Sequence, residues 1–494
     1  MPQANLTRAD RDFLATINDL VCSNPFSASR ETAEQIMAPH AEIPLPDPTD
    51  PSHVFNELKV PLKAFIKSLH DRGIKRIDDL QNEDRKLLEV AYIHEIYLDY
   101  LEPMDDLIEQ QLSEKTRAVK IPFADKLVTD LEHYGFTTED AYIVFAVLYQ
   151  IRRAFYFITA ELVGDCPSMT QLRCDIWNNI FTHDIRIYRD YLWDKMEDFS
   201  TLVIGDTGTG KGSAARAIGS SAFMRFNPET KSFSHALDDF YLLINLSEYP
   251  ESLIESALFG HTKGSFTGAV RDHAGIFKRC IPHGSLFLDE IGDVSPPVQV
   301  KLLNVLQDRR FSPIGSDKEY RFEGRVISAT SKNIKEFRKE GKIREDLFYR
   351  LSSDVITMPS LQQRIQENPD ELRQLVFSLS SRMLGSEGDD LTDWIVARLD
   401  KSLPDNYSWP GNVRELEQAI RRVLLKHEYR GTELVTNTDA MPTMQSMSAS
   451  GLDHKELLSV YCNQLYQIHK TYEKVAEITQ LDRRTVKKYI QMSH

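Results

Sequence analysis

Along the first third of the chain, apolar positions recur at helical spacing. Leu87-Leu88-Glu89-Val90-Ala91-Tyr92-Ile93-His94 and Ala141-Tyr142-Ile143-Val144-Phe145-Ala146-Val147-Leu148 are the clearest runs. From about residue 55 to 195 this pattern predicts helices rich in Leu, Ile, Tyr and acidic residues. Ahead of them, Pro39, Pro44, Pro46, Pro48 and Pro51 crowd residues 38–52 and predict a loop, because proline lacks the N–H a helix interior needs. The character changes at Ser200. Thr201-Leu202-Val203-Ile204 is a short apolar run ended by glycine, the pattern of a buried strand. Similar runs at 285–288 and 325–329 alternate with helical stretches such as 298–309, which predicts a parallel α/β sheet. After about 360 helical spacing returns, over 370–384, 393–401 and 413–429. Residues 430–452, rich in Thr, Ser, Met and Gly, lose all periodicity and predict a linker before a compact helical tail.

Composition narrows this picture. With 494 residues, 41% hydrophobic and 27% charged, the chain has the make-up of a folded protein of two to four domains. A net charge of −15 confines any contact with nucleic acid to a local patch. Cys22, Cys166, Cys174, Cys280 and Cys462 are scattered with no C-x-x-C pair, which predicts reduced thiols and an intracellular setting. The first residues lack a basic and an apolar leader segment, and no stretch approaches the roughly 18 uninterrupted apolar residues of a membrane span. The expected location is the cytoplasm, with no membrane partner.

The chemistry begins after the first predicted strand. Gly205-Asp206-Thr207-Gly208-Thr209-Gly210-Lys211 joins that strand to the Ala-rich helix opened by Gly212-Ser213. This is a phosphate-binding loop in its required context. The glycines let backbone N–H groups face phosphate oxygens, the helix N-terminus adds partial positive charge, and Lys211 neutralises the β and γ oxygens. Gly212 stands where the pattern wants Ser or Thr for Mg²⁺. Leu286-Phe287-Leu288-Asp289-Glu290 then places two carboxylates at the carboxyl end of a strand, where α/β sheets bind ligands. Asp289 is suited to hold Mg²⁺ and Glu290 to polarise the water that attacks ATP. Between these motifs lies Gly264-Ser265-Phe266-Thr267-Gly268-Ala269, one aromatic among small residues that offer it little cover. Such neighbours suit a loop that rises and falls with nucleotide state.

At this point the residues resemble a known family. From about 175 to 428 the chain resembles the AAA+ domain of bacterial enhancer-binding proteins, the activators of sigma-54 RNA polymerase. The family's GAFTGA loop appears here with Ser265 in place of Ala. Phe-Leu-Asp-Glu-Ile-Gly-Asp at 287–293 and Trp409-Pro410-Gly411-Asn412-Val413-Arg414-Glu415-Leu416 also match. The resemblance implies that Asn245 pairs with the catalytic Glu290 and reports loss of the γ-phosphate. It places Thr330 at sensor I, where Ser331 replaces the usual Asn, and Arg414 at sensor II. It makes Arg344 and Arg350 arginine fingers supplied across a subunit boundary, which requires an oligomeric ring, a hexamer by family expectation. It gives 264–269 the role of touching sigma-54.

The tail carries a second motif. Residues 472–478 and 483–490 read as helix, short turn, helix, with Val486, Tyr489 and Ile490 facing inward and Asp482 placed to cap the second helix. Arg483, Arg484, Thr485, Lys487 and Lys488 then face double-stranded DNA, as in the Fis-type helix-turn-helix of the same activators, which the segment resembles. Residues 454–494 hold seven Lys/Arg against four Asp/Glu, a local reversal of the overall acidity. The preceding stretch, 457–469, carries Leu458, Tyr461, Leu465 and Ile468 on one stripe suited to dimerisation.

The expected organisation is a helical regulatory region (1–170), a connecting helix (171–195, within an aromatic-rich stretch containing Trp177, Phe181, Tyr188 and Trp193), an α/β ATPase subdomain (196–358), a helical lid (359–430), a linker (431–453) and the DNA-binding tail (454–494). In the first region Tyr92, Tyr97 and Tyr100 predict a helix interface. His94 lies five residues from Glu89, the wrong spacing for a helical metal pair, and reads as surface or core. The leading functional expectation is an ATP-hydrolysing, sigma-54-dependent transcriptional activator bound to an upstream enhancer site. Two alternatives stay open: an AAA+ ATPase remodelling another protein or nucleic acid, and a nucleotide-gated DNA-binding regulator that does not hydrolyse.

Overall fold

A computed structural model describes residues 5–27, 51–114, 118–385, 387–404, 406–431, 458–459, 461–462, 465–466, 469 and 471–491. The predicted loop at 38–52, apart from Pro51 and Ser52, and the linker at 431–453, apart from Gly431, lie outside the described residues; Pro51 opens the helix Pro51–Asp71.

The amino-terminal region is helical, as its spacing predicts. It includes α1 (Arg8–Cys22), α2 (Asn82–Asp99), α3 (Thr138–Glu161) and α4 (Pro167–Phe181). Tyr92, Tyr97 and Tyr100 are buried at helix contacts, and the Tyr100 hydroxyl donates to Asp130 at 2.7 Å. By length and mean hydropathy α3 is apolar enough to cross a membrane, although Gln150, Arg152 and Arg153 interrupt its apolar run, consistent with the expectation that no long uninterrupted stretch occurs. However, 72% of its most apolar window is buried, because it is the central helix of this core. The predicted connecting helix is broken. α4 ends where Thr182 takes φ 66°, and Asp184 caps a new short turn. The chain continues through a wide π-type turn, Tyr188–Leu192.

Five parallel strands form the α/β sheet: β1 (Thr201–Ile204), β2 (Tyr241–Asn245), β3 (Ser285–Asp289), β4 (Arg325–Thr330) and β5 (Asp354–Thr357). Their order is β5-β1-β4-β3-β2. The register pairs Ile204 with Thr330 and Asn245 with Asp289, so the carboxyl ends form one edge. β1, β3 and β4 are buried nearly throughout and were readable as apolar runs. Of the edge strands, β5 exposes three of its four residues, and β2 buries only Ile244 and exposes Leu243.

The helix after β1 is α5 (Lys211–Gly219), and α6 (Glu345–Leu351) precedes β5. The lid comprises α7 (Leu361–Glu367), α8 (Glu371–Leu384), α9 (Glu387–Ser402) and α10 (Asn412–Lys426) around Leu375, Ile395, Trp409, Leu416 and Ile420. In the tail, α11 (Tyr472–Thr479) and α12 (Arg483–Gln491) close on Val475, Val486 and Ile490.

The helical region is not a separate bead. Phe226 and Phe233, between α5 and β2, join its core. The Tyr149 and Phe233 rings stack at 4.6 Å. Gln150 Nε2 donates to the Ser221 carbonyl just past α5 at 2.9 Å. On the lid side, Arg364 and Glu371 form a buried ion pair at 2.5 Å, and Glu371 also accepts the backbone N–H of Asp165 at 3.0 Å. An ion pair this buried is held by its full set of hydrogen bonds.

Candidate active site

The loop from Gly205 to Lys211 lies at the carboxyl edge of β1. Gly205, Gly208 and Gly210 have φ of 153°, 81° and 96°, values that favour glycine. Thr209 Oγ1 donates to the Asp206 carbonyl at 2.9 Å and steadies the turn. Lys211 is buried, and burial lowers its pKa against the opposing pull of Glu290 and Asp289. Its ammonium donates to the Gly205 and Asp206 carbonyls at 2.9 and 3.0 Å. These are weak acceptors for a desolvated cation, and phosphate oxygens are the better partners. A Cβ at Gly212 would meet nothing within 4 Å, so a hydroxyl ligand is absent by residue choice rather than by lack of space. Ser213, half-buried in the first turn of α5, is one position later.

Asp289 ends β3 and is half-buried. Burial, then the neighbouring Glu290 charge, raises its pKa. A cation at this point would relieve both effects. The donor set fits Mg²⁺ held by one carboxylate, phosphate oxygens and waters, the manner in which Mg²⁺ binds nucleotide sites. Glu290 takes φ 53°, which turns its carboxylate toward the end of β4. There Oε2 accepts from both the backbone N–H and the hydroxyl of Ser331, each at 3.1 Å.

Asn245 does not pair with Glu290 in this structure, contrary to the expectation. Its Oδ1 accepts the Ser247 N–H at 3.1 Å as the cap of the turn Leu246–Glu248, and its Nδ2 donates to Glu248 at 3.2 Å. Ser331, which stands beside Thr330 in place of the usual Asn, is the residue that holds the glutamate. Thr330 is buried at the end of β4, and its Oγ1 accepts the Lys332 N–H at 3.2 Å.

The lid closes the loop from the other side. Asn412 Nδ2 donates to the Thr207 carbonyl at 3.1 Å, its Oδ1 accepts the Leu361 N–H at 2.8 Å, and the Val413 N–H donates to the Gly208 carbonyl at 3.0 Å. A Cβ on Gly208 would stand 2.2 Å from the Gly411 carbonyl oxygen and 3.0 Å from the Arg414 Cβ. The Arg414 Cβ therefore lies beside the phosphate loop. The only trace of this role of Asn412 in the sequence is the Pro-Gly-Asn turn, which sets it at φ 52°.

Arg344 and Arg350 are exposed on and before α6. Arg344 closes on Asp346 of its own segment, Nε to Oδ1 at 3.0 Å and Nη2 to Oδ2 at 2.8 Å. Acting on another subunit requires it to leave that pair.

The residues 264–269 cap a hairpin whose base pairs Gly260–His261 with His273–Ala274. Gly264 and Gly268 have positive φ and open surroundings, and the Gly264 N–H donates to the Ala269 carbonyl at 2.8 Å. Phe266 is 36% exposed and lies edge-on to His261, with ring centres 4.9 Å apart. Thr267 is exposed. Ser265 packs on Gly315, and its buried hydroxyl makes no hydrogen bond among the described residues.

In the tail, Asp482 caps α12 by accepting the Arg484 and Thr485 N–H groups at 2.9 and 3.0 Å. The Thr485 hydroxyl donates to the same carboxylate at 2.5 Å, so it is engaged inward rather than offered to a partner. Arg484, Lys487 and Lys488 are exposed, while Arg483 pairs with Glu473 at 2.9 Å. Of the proposed dimer stripe, Leu465 is buried in the tail's own core, Tyr461 is exposed, and Ile468 lies outside the described residues.

Residues 189–357 match the sigma-54 interaction domain family. The chain is 38% identical over 230 residues to the acetoin dehydrogenase operon transcriptional activator AcoR of Bacillus subtilis, covering 46% of this chain and 34% of that protein. It is 35% identical over 256 residues to the Nif-specific regulatory protein of Azotobacter vinelandii, covering 52% of this chain and 43% of that protein. The chain thus matches less than half the length of these curated relatives. A crystal structure of NtrX from Brucella abortus with ADP aligns at 20% identity and a TM-score of 0.42, covering 75% of this chain and 80% of that one.

Proposed function

We propose, from the premise that the chain carries a sigma-54 interaction domain, that it is an ATP-hydrolysing activator of sigma-54 RNA polymerase. It works as a ring, a hexamer, and is tethered to upstream double-stranded DNA by its tail. The observation that carries the reading is Phe266. It stands exposed on a glycine-flanked hairpin loop in the subdomain that holds the phosphate loop and the Asp289-Glu290 edge.

When bound, ATP with Mg²⁺ supplies the γ-phosphoryl whose cleavage drives the cycle. Gly205, Asp206, Thr207, Gly208, Thr209, Gly210, Gly212 and Ser213 surround the phosphates, and Lys211 exchanges its carbonyl partners for phosphate oxygens. Asp289 holds the metal. Glu290 leaves Ser331 to orient the attacking water, Thr330 and Asn245 register the change, and Arg414 reaches the nucleotide from the lid. Arg344 and Arg350 of a neighbouring subunit stabilise the charge that grows in the transition state. Lifting the loop 264–269 takes the Ser265 hydroxyl from a buried, unbonded position into water, which favours the raised state. Gly264, Phe266, Thr267, Gly268 and Ala269 then meet sigma-54. Arg483, Arg484, Lys487 and Lys488 contact the DNA, and Thr485 supports them through the cap.

Phe266→Ala tests this. ATP turnover should stay within about twofold of wild type, since the ring touches no phosphate group, while open-complex formation at a sigma-54 promoter is lost. Wild-type promoter opening by the variant would refute the reading. Gly212 and the Ser331 hold on Glu290 favour a second one, a nucleotide-gated DNA-binding regulator without hydrolysis. Glu290→Gln decides: a drop in turnover of roughly 10² or more supports hydrolysis, and equal background turnover in both proteins supports the second reading.

A further inference from the structure

Where β2, β3 and β4 end, three side chains meet that have no place yet in the nucleotide site. Asp293 closes the single turn Ile291–Asp293 that follows Glu290, its N–H donating to the Glu290 carbonyl at 3.0 Å. Its carboxylate is divided between two neighbours. Oδ2 accepts the Ser247 hydroxyl at 2.5 Å, and Oδ1 accepts the Lys332 ammonium. Burial disfavours the Asp293 charge, but the hydrogen bonds from Lys332 and Ser247 outweigh it and hold the pKa below the usual carboxylate value.

Ser247 reaches the other way as well. Its N–H donates to Asn245 Oδ1 at 3.1 Å, so one residue joins the Asn245 side chain to Asp293. Lys332 follows Ser331, the residue that bonds Glu290. Its ammonium also donates to the Gly292 carbonyl at 3.2 Å and lies 4.8 Å from the centre of the Phe337 ring. Gly292 is crowded from the same side: a Cβ there would stand 3.0 Å from the Lys332 Cδ and 3.1 Å from the Thr330 Oγ1. The end of β4 thus grips the turn after β3, and that turn grips the turn after β2.

An isolated ion pair at the surface contributes little, because water screens it and two long side chains must be ordered. This one matters for what it joins. The strand register sets Asn245 opposite Asp289, but the turns beyond the strands need a hold of their own. Misplacing a group at a reacting centre by about 1 Å can cost roughly 10²-fold in rate.

We propose that Ser247, Asp293 and Lys332 are positioning residues for ATP hydrolysis. They form a bracket that ties Asn245, on the turn after β2, to Glu290 and Thr330, so that loss of the γ-phosphate felt at one is registered at the others. The inference deepens the ATPase reading above and rests on it.

Lys332→Met, Asp293→Asn and Ser247→Ala in the full chain provide the test, with two readouts. In the nucleotide-free protein, Lys332→Met should speed amide exchange over 246–249 by about threefold; Lys332 reaches that turn through Asp293, so the effect travels along the bracket. Each variant should lower kcat for ATP by about fivefold and leave KM within about twofold, because none of the three residues belongs to the phosphate loop. Asp293→Asn combined with Lys332→Met should be no slower than the slower single variant, as expected of residues that act as a unit. Lys332→Arg, which keeps a cationic donor, should restore kcat to within about twofold of wild type. A merely structural role predicts a lower thermal midpoint with kcat unchanged, and that result overturns the proposal. So does unchanged exchange over 246–249 in Lys332→Met, or a Lys332→Arg variant as slow as Lys332→Met. A wild type that hydrolyses no ATP refutes the ATPase reading and with it the role in hydrolysis, while faster exchange in Lys332→Met would leave the bracket itself standing.

Discussion

Glu290 is held by one small residue. Its carboxylate accepts two hydrogen bonds from Ser331, and one of them, from the hydroxyl, is removable without touching the backbone. A hydrogen bond to a charged group contributes about 1.5–3 kcal/mol. Ser331→Ala should therefore raise unstimulated ATP turnover by about tenfold, measured as phosphate release; a fall would mean that the serine assists catalysis rather than restrains it. Asp289 gives a second residue-level prediction. Its raised pKa means that ionising it costs more in the folded than in the unfolded chain, so its charge opposes folding near neutral pH. Asp289→Asn should raise the thermal midpoint of the nucleotide-free chain at pH 7, and the gain should vanish as pH falls through the raised pKa and the wild-type carboxyl becomes neutral. A midpoint lowered by the substitution would contradict the burial argument. The phosphate loop and the Asp-Glu pair were legible in the sequence because their geometry is dictated by adjacent residues. The partner of Glu290 was not, because the nearby Ser247 N–H captures the Asn245 side-chain Oδ1 and the glutamate, at positive φ, bonds to Ser331 instead.

At the scale of elements, the central strands could be read and β5 could not, because it buries only Ile356; β2 carries the apolar run Tyr241-Leu242-Leu243-Ile244 yet buries only Ile244, so its run is no guide to its depth. The connecting segment reads as one aromatic helix by spacing alone, yet Thr182 and Asp184 stop and restart it, and only cap chemistry distinguishes the two cases. The cap of α12 was legible because Asp-x-x-Thr is a local pattern. Asp482→Ala should destabilise that helix by about 1 kcal/mol. Amide exchange across 483–491 would then accelerate about fivefold and DNA affinity would weaken with it; unchanged exchange would show that tertiary contacts with Val475 and Val486 carry the helix unaided.

For the molecule as a whole, composition set the limits and long-range contacts supplied the content. An overall charge of −15 with a basic tail was visible from the outset. That Phe226 and Phe233 would leave the α/β subdomain for the helical core was not, because no local pattern encodes a partner more than seventy residues away. Nor could the sequence show that the helical region grips both α5, through Gln150, and the lid, through Glu371. Those two holds tie the helical region to both the segment after α5 and the lid.

The most direct measurement of the central claim is binding of purified sigma-54 to the assembled particle in each nucleotide state. With ADP and aluminium fluoride mimicking the transition state, wild type should retain sigma-54 through gel filtration, Phe266→Ala should not, and nucleotide-free protein should not. Failure of wild type to bind sigma-54 in any of these states, or equal binding by Phe266→Ala, would contradict the account.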